Sequence, residues 1–404
     1  MTAEAGVETR RRNGYPQQPA YIELLFDVVY VFAIKQISPV LSQDITWVGA
    51  LKTIILLSAF WWIWVYTTWT TNQFYTTWGR GHRGNVQISV HIVIVPTMLG
   101  SLLMAGAALD AFGDEGLVFA VTYVVTQLAR TIYVGGIVGG EQRTALGSPQ
   151  IFLWFGVAAV LWITGALIDG HARIVLWTVA MVLSYVMSVV DFRVPGLGPA
   201  YVAAWRINPE HLSERYRQFV LIAFGETILA AGFQFSRYDY ELDRTLAFLV
   251  AGTGTVLMWR IYYYRAGELL PSAIVSTRAP AVFGKVASYA HVTMVAGIIG
   301  TAVGSEIVIA HSLERPELAR VAVILGGPAV FLIGRAWLDF LTFRRVSWSR
   351  VVGLVALFTV VVPAAILLPP LMVSIALAII LTGIIVADTY SWRLRPREPA
   401  PPLP

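Results

Sequence analysis

Two acidic side chains stand one helical turn apart near the start of the chain, within the apolar stretch IELLFDVVYVFAIKQIS. Glu23 and Asp27 are spaced i,i+4, so they share one face of a helix. Insertion scales put a charge at the centre of a bilayer at roughly 2.5–3.5 kcal/mol, which predicts that retained acids have a partner or a function. Asp27 is therefore a candidate for binding a proton or a cation. Glu23 is a second candidate, and its alternative interpretation is a structural cap at the start of its helix.

Further ionisable side chains interrupt apolar stretches along the chain. Glu226, in LIAFGETILAAG, is predicted to lie mid-membrane beside Gly225, which leaves room for a partner or a water. The other candidates are predicted to lie in the half of the membrane nearest the N-terminus: His91, Arg130, Arg260, His291, Arg335 and Asp339.

These candidates suggest charge pairs across helices. Arg130 and Arg335 are expected to neutralise Asp27, Glu226 or Asp339, because charges at this depth usually pair or face water. Arg335 and Asp339 are also spaced i,i+4 and form a pair of opposite sign. The histidines are expected to tune or relay a proton. Structural ion pairs and ordinary hydrogen-bonded histidines remain the alternatives.

The elements that must position these residues are membrane helices. Hydrophobic residues make up 57% of the chain and charged residues 13%, against about 25% charged residues in soluble domains. A span needs about 20 mainly apolar residues. The sequence therefore predicts an all-α polytopic membrane protein with about twelve transmembrane helices: 21–38, 48–71, 86–107, 117–139, 150–168, 173–190, 217–235, 245–266, 282–304, 318–341, 349–368 and 371–390.

Arginines are distributed unevenly between the loops on the two sides of these spans. Most lie on the side of the N-terminus, and the opposite side has only Arg173, Arg237, Arg244, Arg315 and Arg320. Since basic residues concentrate in cytoplasmic loops, both termini are predicted to be cytoplasmic. The net charge of +5 is thus explained by topology, and no nucleic-acid partner is expected.

The two halves of the chain share a pattern. HIVIVPTMLGS begins at His91 and HVTMVAGIIGT at His291, and the spans that follow carry Arg130 and Arg335. This order predicts two parallel six-helix repeats. The predicted organisation is a disordered cytoplasmic tail at 1–20, membrane units at 21–190 and 217–390, a cytoplasmic connector at 191–216 and a second disordered cytoplasmic tail at 391–404.

The end of the predicted connector, RINPEHLSERYRQ, carries polar residues suited to an interfacial site. His211 and Glu214 are spaced i,i+3, which can seat a metal, but the alternative is a helix N-terminus with Ser213 and Glu214 in its first turns. The chain has no cysteine, and no nucleophile elbow, P-loop or His-Glu-x-x-His motif is present. No metal, cofactor or enzymatic activity is therefore expected.

Two of these stretches, IELLFDVVYVFAIKQIS and HLSERYRQFVLIAFGETIL, resemble the signature regions of the bacterial low temperature requirement A (LtrA) family. The resemblance covers nearly the whole chain and implies a multi-pass protein of the bacterial cell membrane, while the family name records a cold-growth phenotype. Lys35 stands where a neutral residue is expected. By this resemblance the two signatures correspond to Glu23, Phe26 and Asp27, and to His211, Glu214, Arg215, Gly225 and Glu226.

A shorter stretch, FDVVYVFAI, is similar to the first helix of lysosomal and bacterial potassium channels, but it lacks the Ser-Gly pair of their Phe-Ser-Asp-Gly signature.

Three functions remain open from the sequence. The leading hypothesis is a transporter or channel-like protein for an ion or small solute, proton-coupled through intramembrane carboxylates, with the lipid bilayer as its other partner. The alternatives are a non-catalytic membrane stress or assembly factor, whose charges are structural, and an intramembrane enzyme using His211 and Glu214. A water-accessible cavity beside Asp27 and Glu226 would favour transport, whereas dry salt bridges would remove its main support.

Overall fold

The computed structural model describes residues 19–77, 83–137, 148–200, 206–264 and 266–393. Within these ranges the chain forms thirteen helices, of which twelve are long and apolar enough to cross a membrane. The predicted all-α architecture with twelve spans is therefore confirmed, including the last two, which are separated at Pro369-Pro370. Of the predicted tails, residues 1–18 and 394–404 lie outside the described residues.

The helices are numbered here in chain order. They are α1 (Tyr21–Gln43), α2 (Trp47–Thr77), α3 (Arg83–Ala108), α4 (Gly116–Ile137), α5 (Pro149–Leu167), α6 (His171–Val189), α7 (Pro209–Phe235), α8 (Leu242–Tyr263), α9 (Ala266–Val275), α10 (Pro280–Ala310), α11 (Leu318–Phe343), α12 (Trp348–Leu367) and α13 (Pro370–Arg393). Only α9, a ten-residue helix, has no counterpart among the predicted spans.

Helix α7 begins two turns earlier than the sequence predicts. Pro209 occupies its first turn, and the side chain of Asn208 accepts a hydrogen bond from the backbone N–H of His211 at 3.2 Å. This is a standard N-terminal cap, because it satisfies one of the orphan N–H groups of the helix. His211, Glu214 and Arg215 therefore lie on a helix that continues into the membrane, as the helix N-terminus alternative anticipated.

Helices α1, α7 and α10 meet inside the molecule, and each pair of them is in contact. Helix α10 is 31 residues long and mostly buried, and its closest neighbour is α11. Glycines allow the backbones of α10 and α11 to approach closely. A Cβ on Gly297 would lie 2.3 Å from the backbone nitrogen of Phe331, and a Cβ on Gly327 would lie 2.4 Å from that of Thr301. Small residues of this kind are the usual contact between membrane helices.

The two predicted six-helix units have the same order of helix neighbours. In the first unit α1 packs on α2 and α3, α3 on α4, α4 on α5, and α5 on α6. In the second unit α7 packs on α8 and α10, α10 on α11, α11 on α12, and α12 on α13, with the short α9 outside the correspondence. This order is consistent with a parallel repeat. The repeat itself and the side on which the termini lie stay predictions.

Candidate functional site

Asp27, on α1, is held by a side chain from α7 and another from α2. Arg215 Nη1 donates to Asp27 Oδ2 at 2.8 Å and to the backbone oxygen of Glu23 at 2.7 Å. Trp64 Nε1 donates to Asp27 Oδ1 at 2.7 Å. Both carboxylate oxygens of Asp27 are thus engaged, and its partner is Arg215 rather than the Arg130 or Arg335 that the sequence suggested.

Glu23 lies one turn before Asp27 and is equally well satisfied. Its Oε1 accepts from Thr71 Oγ1 at 2.6 Å, and its Oε2 accepts from the backbone N–H of Ala20 at 2.9 Å. Tyr75 and His211 also approach Oε2, with His211 Nε2 at 3.0 Å. Glu23 therefore caps the start of α1, as its structural interpretation predicted, and also joins α1 to α2 and α7.

The tautomer of His211 follows from its neighbours. The backbone N–H of Asn208 donates to Asn72 Oδ1 at 2.9 Å, which fixes the orientation of the Asn72 amide. Asn72 Nδ2 then lies 3.1 Å from His211 Nδ1, and because an amide nitrogen only donates, Nδ1 must accept. The ring proton is therefore on Nε2, which donates to Glu23. Glu23, Asp27, Trp64, His211 and Arg215 are called the Glu23–Asp27 network below.

A second charge contact joins the same two helices farther from their N-terminal ends. Lys35 Nζ on α1 lies 3.5 Å from Glu226 Oε1 on α7, and the Glu226 side chain is only 1% exposed. Neither carboxylate oxygen of Glu226 has a hydrogen-bond partner among the described residues. The Ser38 hydroxyl donates to the backbone oxygen of Ile34 at 3.2 Å and is also near enough to act on Glu226. This contact is called the Lys35–Glu226 pair.

A second acidic side chain lies near the Lys35–Glu226 pair. Glu306, half-buried on α10, is close enough to interact electrostatically with both Lys35 and Glu226. Lys35 is 29% exposed, so its ammonium group can reach the outside of the helix bundle. Glu226 is followed by only nine residues of α7, Thr227 to Phe235, so the pair lies about 14 Å from that end of the helix. Lys35 and two carboxylates thus lie together between α1, α7 and α10, and Arg237, just beyond the end of α7, is also close enough to act on Glu306.

Comparisons with known proteins place these helices in a family. The family model described as bacterial low temperature requirement A protein (LtrA) matches residues 20–386, nearly the whole chain. The chain belongs to the LtrA family. An uncharacterised protein of Rhizobium meliloti (strain 1021) is 32% identical over 387 residues, which covers 95% of this chain and 90% of that protein. No solved structure shows significant similarity to this LtrA chain.

Two of the predicted arginines in this LtrA chain lie outside both α1–α7 contacts. Arg130 donates to Thr67 Oγ1 at 3.1 Å, to the backbone oxygen of Ile63 at 3.2 Å and to Gln127, and no acid is bonded to it in the described residues. Arg335 pairs with Asp339, as the i,i+4 spacing predicted.

The Arg335–Asp339 pair is part of a separate polar cluster. Arg335 also donates to the backbone oxygen of Tyr264 at 2.7 Å. Asp339 contacts Arg350, which in turn pairs with Asp388 of α13 at 3.1 Å. These contacts tie α8, α11, α12 and α13 together at one end of the second predicted unit.

The two histidines that align in the sequence have different environments. His91 is exposed on α3 and contacts only the backbone oxygen of Gln87, at 2.7 Å, among the described residues. His291 is fully buried, hydrogen-bonded to Tyr262 Oη at 3.0 Å and stacked on Tyr216 with ring centroids 4.6 Å apart. Their shared register therefore does not give them a shared role.

The remaining candidates lie at the surface of the bundle. Glu214 is half-buried and pairs with Arg217 at 2.7 Å, one turn farther along α7. Arg260 is half-buried and lies over the Tyr264 ring, 4.2 Å from its centroid. No group of three or more His, Asp or Glu side chains suited to a metal ion occurs in the described part of the chain.

Sequence reasoning missed four residues that complete the two contacts between α1 and α7. Trp64, Thr71 and Asn72 look like aromatic and polar packing residues of α2, and nothing in their spacing marks them as partners of α1 and α7. Glu306 was missed although it offers a signal, since it is a lone acid near the end of the apolar stretch HVTMVAGIIGTAVGSEIVIA. An acid in such a stretch is a functional candidate by default.

Proposed function

We propose that this LtrA family member is a transporter or channel-like protein of the bacterial cell membrane that moves an ion or a small solute, and that Glu226 is the group that binds a proton or cation. The observation that carries the proposal is the Glu226 carboxylate itself. It is buried, it faces Lys35 at 3.5 Å, and neither of its oxygens accepts a hydrogen bond from a described residue.

Physical chemistry favours a mobile partner for this carboxylate. An ionised carboxylate in a low-dielectric interior is costly unless its oxygens are hydrogen-bonded or neutralised. Lys35 offers one contact, and Glu306 places a second acidic side chain nearby. A proton on Glu226, or a cation held between Glu226 and Glu306, would satisfy the site.

Occupancy of Glu226 gives a way to couple binding to movement. When a proton or cation neutralises the carboxylate, the attraction between Glu226 and Lys35 is lost. Lys35 has a long flexible stem and partial exposure, so its charge can then move toward solvent. Because α1 and α7 belong to different predicted units, weakening their contact at this end allows the units to separate there. The Glu23–Asp27 network would hold the two helices together at the other end.

This proposal moves the chemistry away from Asp27. Both Asp27 oxygens are hydrogen-bonded in a buried network, so a transported ion would have to compete with Arg215 and Trp64 for this carboxylate. We assign it a structural role. We further propose that the protein is not an enzyme and acts without cofactor or nucleic acid, with lipid and the transported ion or solute as its partners.

The experiment is flux in sealed proteoliposomes, followed with an internal pH dye and ion-sensitive dyes under imposed gradients. We expect flux by the unmodified protein, its loss in Glu226→Gln, and its retention in Glu314→Gln. Glu314 is a matched control because it is a glutamate with basic partners in the loop between α10 and α11. Unfolding temperatures in detergent verify that each variant is folded. Flux by Glu226→Gln at the unmodified rate would remove this carboxylate from the pathway.

A second function, a non-catalytic membrane stress or assembly factor, is favoured by the Glu23–Asp27 network, in which charges act as structure. On that view Glu226 and Lys35 are structural as well. The same experiment separates the two functions: absence of flux across a panel of ions and gradients, together with lowered unfolding temperature in Glu226→Gln, would support the structural factor.

A further inference from the structure

A basic groove lies where α10 begins and α11 ends. The groove is a cavity of about 210 Å³. Two arginines, Arg278 and Arg344, stand beside an apolar wall formed by Val282, Phe283, Val286 and Leu341, and no acidic residue lines it. A cavity with this lining suits a ligand that is anionic at one end and apolar at the other.

The positive charge of the groove is not neutralised by the described part of the protein. Arg278 and Arg344 are exposed, and neither forms an ion pair with a described residue. Arg344 ends α11 in a left-handed conformation with φ of 55°, and its guanidinium lies 5.9 Å from the ring centroid of Phe340. Helix α10 begins at Pro280, without a side-chain cap, so the positive end of its dipole adds to the same field.

Beside the groove, α11 presents a surface that suits acyl chains. Ile333, Trp337 and Phe340 are 43%, 38% and 46% exposed and follow one another at intervals of one turn along α11 toward Arg344. In a membrane-spanning helix such side chains face lipid. An apolar stripe therefore leads directly to two arginines, an arrangement complementary to a phospholipid with a negatively charged headgroup.

We propose that this groove binds an anionic phospholipid, with the headgroup phosphate between Arg278 and Arg344 and an acyl chain along the Ile333–Trp337–Phe340 stripe. Basic pockets between membrane helices are suited to such headgroups because guanidinium groups bind phosphate oxygens in a bidentate manner. The site lies at the membrane face that carries most of the arginines. Lipid bound there would bridge the ends of α10 and α11.

A neighbouring cavity supplies the matched control. It has a volume of about 390 Å³ and is lined by Arg335, Arg345 and Arg350 together with Asp339 and Asp388. The two aspartates pair with Arg335 and Arg350, so the charge of that cavity is largely neutralised. Arg345 adjoins Arg344 in the sequence and carries the same charge, yet it lines the cavity that contains acids.

The test uses the full chain, purified in a neutral detergent, with phosphatidylglycerol, phosphatidylcholine or inorganic phosphate added. Native mass spectrometry counts the retained lipid, and the unfolding temperature is followed as a function of added ligand. We expect phosphatidylglycerol to be retained and to raise the unfolding temperature, while phosphatidylcholine and phosphate do neither. The double variant Arg278→Gln/Arg344→Gln should bind phosphatidylglycerol about 30-fold more weakly, and Arg345→Gln should bind it within about threefold of the unmodified protein.

Other outcomes would overturn the proposal in distinguishable ways. Equal retention of phosphatidylcholine would mean that only the apolar stripe is recognised. An equal stabilisation by inorganic phosphate would mean an anion site without lipid. A loss in Arg345→Gln as large as in the double variant would indicate diffuse electrostatic attraction. If the double variant does not fold, the single variants Arg278→Gln and Arg344→Gln are compared with Arg345→Gln. Each should bind phosphatidylglycerol about fivefold more weakly, and binding as tight as that of Arg345→Gln would overturn the proposal.

Discussion

Two ionic contacts join the same pair of helices, and they differ in how completely their hydrogen bonds are satisfied. In the Glu23–Asp27 network each of the four carboxylate oxygens accepts a hydrogen bond from a protein donor. In the Lys35–Glu226 pair neither oxygen does so among the described residues. Burial is nearly identical, since Glu23, Asp27 and Glu226 are all at most 1% exposed. Burial alone therefore does not distinguish the two sites, whereas the hydrogen bonding of their carboxylate oxygens does.

The physical reason lies in what each site can still bind. A saturated carboxylate exchanges protein donors for a ligand only by breaking bonds that hold helices together. An unsaturated one gains bonds when a proton or cation arrives. The Glu23–Asp27 network is thus suited to fix α1 against α7, and the Lys35–Glu226 pair is suited to change state.

The largest loss in the free energy of unfolding is expected when the Glu23–Asp27 network is broken. Arg215→Met leaves Asp27 buried without its cation, and removal of one partner of a buried pair costs about 3–5 kcal/mol. We expect this loss in the free energy of unfolding, measured by chemical unfolding in mixed micelles. Arg217→Met, on the same turn of α7 but half-buried, should cost less than about 1 kcal/mol. Similar losses in the two variants would show that the network is not the stabilising element.

The positions of the spans are predictable from sequence because each rests on local hydropathy. The predicted spans 150–168 and 349–368 differ by one residue from α5 and α12. The start of α7 was missed because its first turns carry His211 and Arg215, whose hydrogen-bonding groups find partners only after α1 and α2 pack against them. Hydropathy averaged over neighbouring residues does not detect that packing.

The pairing of charges is less predictable for the same reason. Sequence gives the depth of Asp27 and Arg130 but not the rotation of each helix about its axis, and rotation decides which side chains face each other. Arg335–Asp339 was predicted correctly because both residues lie on one helix, where spacing alone fixes the face. The partner of Asp27 required knowing which helix packs beside α1.

A smaller loss in the free energy of unfolding is expected when the Lys35–Glu226 pair is broken. Two matched amide substitutions compare it with the Glu23–Asp27 network. Asp27→Asn removes a charge that is fully bonded, and we expect it to cost about 3–5 kcal/mol. Glu226→Gln removes a charge with no hydrogen bond and leaves Lys35 with Glu306 nearby and partial access to solvent, so its cost should be about 1 kcal/mol or less. The same unfolding assay measures both. A larger loss in Glu226→Gln than in Asp27→Asn would invert the comparison and favour a structural role for Glu226.

The smallest effect is expected at an exposed acid, which provides a reference outside the membrane. Glu314, in the loop between α10 and α11, accepts hydrogen bonds from His311 at 2.8 Å and from Arg320 at 2.9 Å, and these hold the pKa of its carboxyl below the ordinary value of 4.5. A carboxyl with a lowered pKa stabilises the folded protein above its ordinary pKa, and this contribution disappears as the pH falls through the lowered value. Solvent screening limits it to about 0.5 kcal/mol. Glu314→Gln should therefore lower the free energy of unfolding slightly at pH 7 and leave it unchanged at a pH below the lowered pKa. The change in the free energy of unfolding at pH 7 can be compared with that of Asp27→Asn. Equal changes would show that hydrogen bonds to an exposed carboxylate stabilise the fold as much as those in the buried network, so that burial does not strengthen them.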